Sequence, residues 1–324
     1  MKCCGCYTEV KEGYCLPCRK LLFEGKRVSS TLSFDEPNDS NLATLQEFSK
    51  KLSISGVQLK YSLKQDNNEL VLTESGGEYI IKPIPPGKQL VNLAAVPENE
   101  HLTMQIASQI FKIPVAANAL IYFKDGAPAY ITKRFDLRPS GGKYQQEDFA
   151  QLSERTSKKN GENYKYEGTY AKIGEIIQRF VPASIIAVER LFTLVVFNYL
   201  FSNGDAHLKN FSLISNDMGE YKLSPAYDLL STIIHSPGES DTALPLYPND
   251  YKSDFYSAFG YYGRSSFLEL ANQLTILPQR AERILQGITN KKDDAINMVN
   301  NSFLEKEVRE IYIGHLNDKF LRLS

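Results

Sequence analysis

The stretch ASIIAVERLFTLVVFNYLF, residues 183–201, constrains the fold more than any other, because it runs straight into the polar loop NGDAHLKN at 203–210. Read as a helix, it carries apolar residues on most of its faces, so other elements must surround it. It is too short to span a bilayer, and Asn198 interrupts it. Partners for it lie downstream, where SSFLELANQLTI, PQRAERILQGI and a long segment over 291–321 all read as amphipathic helix. Directly after the polar loop, NFSLIS (210–215) and EYKLS (220–224) predict a hairpin around NDMG, and LSPAYDLLS sets Asp228 just beyond its second strand.

The first half has a different rhythm. VQLKYSLK (57–64), ELVLT (69–73) and EYIIK (78–82) alternate polar and apolar residues between turn-rich breaks, which predicts antiparallel strands. A helix is expected from Pro97 to about Phe111, with proline at a favourable first position. ALIYF (119–123) and APAYITK (127–133) flank Lys-Asp-Gly, a hairpin signal. QEDFAQLSE (146–154) reads as helix, and SKKNGENYKYE (157–167) as a mobile polar loop. The fold class is α+β: a small sheet-rich lobe with one long helix, then a larger, mostly helical lobe. The expected divisions are a Cys-rich segment at 1–25, a linker with a short helix at 26–50, the first lobe at 51–136 and the second at 137–324.

With 324 residues the chain can build two cores. Its net charge of −1 advertises no nucleic acid or anionic membrane. MKCCGCYTEV lacks the apolar core of a signal peptide, so a cytoplasmic location is expected. All five cysteines fall within the first 18 residues. Cys3/Cys6 and Cys15/Cys18 form two C-x2-C pairs eight residues apart, a spacing that suits four thiolates around one structural Zn2+. Such a site would supply roughly 10–16 kcal/mol of apparent binding free energy to a segment too small to fold alone.

Asp205, Asn210 and Asp228 converge if the loop and hairpin form as predicted. Phosphoryl transfer needs that set: one carboxylate to take a hydroxyl proton, and a second carboxylate with an amide oxygen to hold Mg2+ on phosphates. The other lobe would supply the nucleotide clamp. Lys82 ends an apolar strand, and Glu98 and Glu100 lie in the first turn of the next helix, with Glu100 the expected partner. In LSISGVQLK (52–60), the backbone around Gly56 and Val57, together with Lys60, is suited to covering phosphates.

SISGVQLKYSL, YIIKP, ENEHLTMQIA, KRFDL, QEDFAQL, NGDAHLKNFSLI and LSPAYDLLS occur in the order seen in the HipA family of bacterial toxin kinases, which the chain resembles over about residues 45–324. The resemblance implies a two-lobed protein-kinase-like fold using ATP and Mg2+. It implies Asp205 as catalytic base, Asn210 and Asp228 as Mg2+ ligands, and Lys82 and Lys60 as ATP-phosphate lysines. His207 and Lys209 of the D-x-H-x-K-N motif join the cofactor-binding set, and Lys133 and Phe135 match the adenine hinge. Ser53 matches a self-phosphorylated serine, and Ser53 with Ser55 gives the S-x-S arrangement of the shorter HipT-type kinases. A phosphate there adds about −1.5 to −2 charges to a loop meant to cover ATP, so phosphorylation is expected to inactivate. Implied partners are an aminoacyl-tRNA synthetase as protein substrate, a HipB-like DNA-binding antitoxin and a separate HipS-like small subunit. The alternatives are a small-molecule phosphotransferase on the same scaffold and an inactive kinase-like binding module.

Overall fold

The computed structural model describes residues 1–36, 59–86 and 90–324. Helix α1 (Leu16–Phe23) starts at a proline and buries Cys18, Leu22 and Phe23. Strands β1 (Tyr61–Asp66), β2 (Glu69–Leu72) and β3 (Tyr79–Lys82) precede helix α2 (Val96–Gln109). Strands β4 (Asn118–Tyr122) and β5 (Pro128–Lys133) follow, and all five strands form an antiparallel sheet in the order β2-β1-β3-β5-β4. Of the strand expected over 57–64, residues 57–58 lie outside the described residues, Leu59 and Lys60 precede the strand, and the pairing sets its start at Tyr61. Leu63 lies opposite both Leu72 and Tyr79, which buries Tyr61 and Leu63 together.

The N-terminal segment belongs to this sheet. β4 would be a free edge, and unpaired edge strands invite wrong pairing. Instead Ser30 accepts from the Tyr122 N–H at 2.9 Å, the Leu32 N–H donates to Tyr122 at 2.8 Å, and the Leu120 N–H donates to the Cys4 carbonyl at 2.9 Å. Tyr14 and Tyr79 donate their hydroxyls to the carbonyls of Leu120 and Leu22. Phe23 packs between the rings of Tyr14 and Tyr79, at 5.1 and 5.7 Å. One core therefore spans the cysteine segment and the sheet.

The second lobe gathers around a buried helix. A short sheet joins β6 (Gln146–Asp148), β7 (Ser212–Ser215) and β8 (Tyr221–Leu223), the last two being the predicted hairpin. The helix expected over 146–154 is shorter. Residues 146–148 pair with β7, and helix α3 (Phe149–Leu152) begins only after Asp148, which forms a reciprocal cap with Gln151. The stretch 157–167 is not simply a loop. It holds helix α4 (Ser157–Asn160), capped by Thr156, and a 3-10 turn at Tyr164–Tyr166 that buries Tyr164 and Lys165.

Helix α5 (Tyr170–Phe180) was not predicted, although Ile173, Ile176 and Ile177 have helical spacing. Gly174 lets it lie close against the following helices, since a Cβ there would sit 2.0 Å from a Leu274 methyl. Helix α6 (Ser184–Leu200) is the buried helix of the prediction. After it come α7 (Asp254–Phe259), α8 (Arg264–Gln273) and α9 (Pro278–Thr289). The long segment expected over 291–321 divides into α10 (Lys292–Asn300) and α11 (Lys306–Leu323). The break buries Ser302 and Leu304, and it packs Phe303 on Tyr7 of the cysteine segment at 5.3 Å. No described helix is long and apolar enough to cross a membrane.

Because Phe23 is fully buried where segment and sheet meet, Phe23→Ala is expected to cost about 3–5 kcal/mol in chemical denaturation. A loss below 1 kcal/mol would mean that the segment is not part of the core.

Candidate active site

The site is built where three elements meet over the end of β3. Lys82, the last residue of that strand, is buried. Its ammonium donates to Glu100 Oε1 at 2.5 Å and to Asp228 Oδ1. Glu100 lies in the second turn of α2, and Asp228 lies in the segment after β8. Lys60 adds a longer pairing to Asp228 Oδ2 at 3.9 Å. Burial pulls the Lys82 ammonium down, but Asp228 and Glu100 together raise it above the usual lysine range. Burial also works against Asp228, yet Lys60 and Lys82 hold that carboxyl well below the usual range. Glu100 is pushed up by burial, only partly offset by Lys82. The two carboxylates thus share one cation.

Asn99 fixes the helix that carries Glu100. Its amide donates to the Ser231 carbonyl at 2.9 Å and accepts from the Ser231 N–H at 3.1 Å. The strand, the helix and the Asp228 segment are therefore tied at two adjacent points.

The polar loop after α6 is held just as closely. Asn198, which interrupts the apolar helix, accepts from the Asn203 amide at 3.0 Å. The same Asn203 amide reaches the Asp228 carbonyl at 3.3 Å. The Gly204 N–H donates to Thr232 Oγ1 at 2.8 Å. No larger residue fits at 204, because a Cβ would sit 2.7 Å from the Glu239 side chain and from the Ser240 carbonyl. Asn210 donates its Nδ2 to the Asp205 carbonyl at 2.9 Å, which closes the loop and settles which end of the amide is taken. Asn198, Asn203, Gly204 and Thr232 had no assigned role from sequence. A polar residue inside an apolar helix was the available signal.

A cleft of about 490 Å³ opens beside these groups, lined by Lys60, Lys82, Phe135, Lys209, Tyr227 and Asp228 among others. Phe135 and Tyr227 face each other at 5.8 Å. Lys133 also lines the cleft, while its ammonium reaches Glu24 at 3.3 Å. Lys209 is bonded to Asp148 at 3.0 Å. Burial lowers its ammonium, but Asp148 raises it further, for a net shift upward. His207 is buried with its Nε2 3.8 Å from Asp205 Oδ1, and burial holds it below the usual histidine range. Asp205 itself accepts a hydrogen bond from the Tyr166 hydroxyl at 2.6 Å. Lys60, Lys82, Lys133, Phe135, Lys209 and Asp228 therefore line one cleft, with Glu100 behind Lys82, while Asp205, His207 and Asn210 lie in the adjoining loop and not in the cleft's lining. Ser53, Ser55, Gly56 and Val57 lie outside the described residues.

Cys3, Cys6, Cys15 and Cys18 bring their sulfurs within 4.8 Å of one another. Hydrogen bonds from Cys18 and Cys3 hold the Cys6 thiol far below its usual range. Burial pushes the neighbouring Cys4, which is outside the quartet, up to about 11. A compact set of four sulfurs fits a tetrahedral metal.

Residues 52–296 match the family model described as HipA-like C-terminal domain. The chain is 36% identical over 228 residues to the "Putative kinase Y4dM" of Sinorhizobium fredii, a match covering 65% of this chain and 53% of that protein. It is 25% identical over 313 residues to a "Putative kinase" of Haemophilus influenzae, covering 92% of this chain and 88% of the relative. The chain thus spans about half the length of Y4dM. Among solved structures, HipA of Shewanella oneidensis MR-1, in complex with HipB and operator DNA, superposes with a TM-score of 0.64 at 21% identity. That match covers 84% of this chain and 65% of the HipA chain. The Helicobacter pylori proinflammatory kinase CtkA gives 0.51 at 14% identity, over 82% of this chain and 90% of that one. At these identities the likeness to the two structures is one of fold.

Glu98, unlike Glu100, forms no ion pair with Lys82 among the described residues. Burial, reinforced by Glu305, raises its carboxyl to about 7, above the roughly 4.3 of an unfolded glutamate. A raised carboxyl is best tolerated when protonated, so its contribution is fully present below the unfolded value and is lost as pH rises through about 7. Glu98→Gln is therefore expected to be more stable than the parent by about 1–2 kcal/mol at pH 8 and equal to it at pH 4. Denaturation curves at the two pH values decide this, and equal stability at both would contradict it.

Proposed function

The chain belongs to the HipA-like C-terminal domain family, and from that premise we propose that it is an ATP- and Mg2+-dependent serine/threonine protein kinase, the toxin of a HipA-type toxin–antitoxin system. The observation that supports this most is the buried Lys82, bonded to both Glu100 and Asp228 beside the Asp205 loop. A strand lysine paired with a helix glutamate, next to a carboxylate that can take metal, is the arrangement phosphoryl transfer requires of a kinase.

Each group then has a task. Adenine lies in the cleft near Phe135 and Tyr227, against the hinge at Lys133. The N–H groups of Lys133 and Arg134 already donate to Ala117 and Glu78, at 2.8 Å each. Donation to a base therefore falls to the residues after them. Lys60 and Lys82 take the inner phosphates, with His207 and Lys209 at the loop side and Gly56 and Val57 covering them. Asp228 and the Oδ1 of Asn210, which has no hydrogen bond among the described residues, are hard oxygen donors suited to Mg2+, which when bound would neutralise charge on the phosphates. A phosphate arriving at Lys82 competes with Asp228 for the ammonium, which frees that carboxylate for metal. Asp205 accepts the proton of the substrate hydroxyl. The inner quartet of cysteines, Cys3, Cys6, Cys15 and Cys18, holds a structural Zn2+ that stiffens the covered edge of the sheet.

The substrate proposed is an aminoacyl-tRNA synthetase, and the partners a HipB-like antitoxin and a HipS-like small subunit of a HipT-type system. The sequence resemblance supports these, as does the solved neighbour's association with HipB and DNA. Autophosphorylation at Ser53 or Ser55 would switch the kinase off.

Peptide mass spectrometry of the parent and of Asp205→Gln, after incubation with ATP and Mg2+, tests the central proposal. Phosphate on Ser53 or Ser55 in the parent alone is expected. Its absence from both would overturn the autophosphorylating kinase in favour of a small-molecule phosphotransferase or an inactive body. For the cysteine site, elemental analysis is expected to find one zinc per chain, and a strong chelator to lower the melting temperature by several degrees, about 4–8 °C for each ~1 kcal/mol in a small domain and less here. A chain free of zinc and indifferent to chelator would remove the metal from this account.

A further inference from the structure

One buried cation beside Asp205 has no part in the chemistry above. Lys165 lies in the 3-10 turn at Tyr164–Tyr166 and is 9% exposed. Its ammonium lies over the ring of Tyr166 at 4.8 Å, and among the described residues it has no carboxylate partner and no hydrogen bond. The Tyr166 hydroxyl is bonded to Asp205 at 2.6 Å, and its ring meets His207 edge-on at 5.2 Å. The turn is thus fastened to the carboxylate that faces the substrate, with a lysine held beside it.

The other cations of the site are each engaged. Lys82 has Glu100 and Asp228, Lys209 has Asp148, and Lys60 lies 3.9 Å from Asp228. Burial lowers the Lys165 ammonium, Asp205 opposes this, and Lys209 and Lys60 lower it further. The stem of Lys165 is buried while its ammonium, which forms no ion pair among the described residues, stands between the attraction of Asp205 and the repulsion of Lys209 and Lys60. An anion on the Asp205 side of the site would give that ammonium a direct partner.

We propose that Lys165 is a catalytic residue that contacts the γ-phosphoryl group of ATP. Lys60 and Lys82 lie on the Asp228 side and serve the inner phosphates, whereas Lys165 lies on the Asp205 side, where the acceptor hydroxyl and the γ-phosphorus meet. In the transfer, the acceptor oxygen forms its bond to the γ-phosphorus and the bond to the β–γ bridging oxygen breaks, its electron pair leaving with ADP. The hydroxyl proton passes to Asp205, and Lys165 offsets the charge on the equatorial oxygens. Tyr166 is a positioning residue that holds Asp205 and carries Lys165. The inference rests on the phosphotransfer reading above.

The test uses the full chain and its Lys165→Met and Lys165→Arg variants, with Mg2+ and either ADP or the non-hydrolysable analogue adenylyl imidodiphosphate. Calorimetry is expected to show the parent binding the analogue more tightly than ADP. Lys165→Met should lose roughly tenfold for the analogue, and less than twofold for ADP. Its transfer rate should fall roughly a hundredfold, with Lys165→Arg recovering part of both. The ligand-free melting temperature of Lys165→Met should equal or exceed the parent's, because no ion pair is lost. A lower melting temperature with the preference for the analogue intact would make Lys165 a structural cation on Tyr166 and overturn the proposal. A parent that binds neither nucleotide would instead sink the phosphotransfer reading beneath it.

Discussion

Everything at the cleft depends on the Lys82 ammonium and its two carboxylates. A charge taken out of water is tolerated only when its partners are well placed. Lys82 is 5% exposed and Glu100 1%, so neither can turn to solvent if the other moves. The ion pairs therefore set the position of three elements at once: the end of β3, the second turn of α2 and the segment after β8. Removing Lys82 would leave Glu100 as an uncompensated buried charge, at a cost of about 3–5 kcal/mol. The hydrogen bonds of Asn99 to Ser231 repeat the same tie with neutral groups.

Strain collects close to this junction. Asp228 has φ of 55° and Ser202 of 49°, both in the left-handed region that side chains other than glycine rarely adopt. Each is held by its neighbours. The Asp228 carbonyl accepts from Asn203, and the Ser202 carbonyl accepts from the Thr232 N–H at 3.0 Å and its hydroxyl at 3.1 Å. Such conformations persist where the surroundings over-determine them, and they gather at functional sites. Here they aim the Asp228 carboxylate at Lys82 and turn the chain from α6 into the Asp205 loop.

The cysteine segment answers a different need. A five-stranded sheet with an open β4 edge would expose unpaired backbone, and residues 30–34 and the Cys4 carbonyl cover that edge. The segment has too few apolar residues to fold alone, but with the sheet beneath it Phe23, Leu22 and Cys3 are buried almost completely. It also touches the break between α10 and α11 through Tyr7 and Phe303, so both lobes meet it.

Local pattern determined much of this protein. Alternation marked the strands, the apolar run marked α6, and the spacing of Asp205, Asn210 and Asp228 around a predicted hairpin marked a loop and a segment that Asn203 ties together, because those residues are joined by short, regular chain. What short-range pattern could not carry was decided by tertiary contacts. The choice between Glu98 and Glu100 depends on which side of α2 faces β3. The three-residue strand at 146–148 exists only because β7 lies beside it. The polar sequence SKKNGENYKYE reads as solvated surface, yet Lys165 and Tyr164 are buried against the Asp205 loop. Periodicity records which face of an element is apolar. It does not record which distant charges will share a dry space, and that is where Lys82 finds its carboxylates, whereas Lys165 forms no ion pair among the described residues.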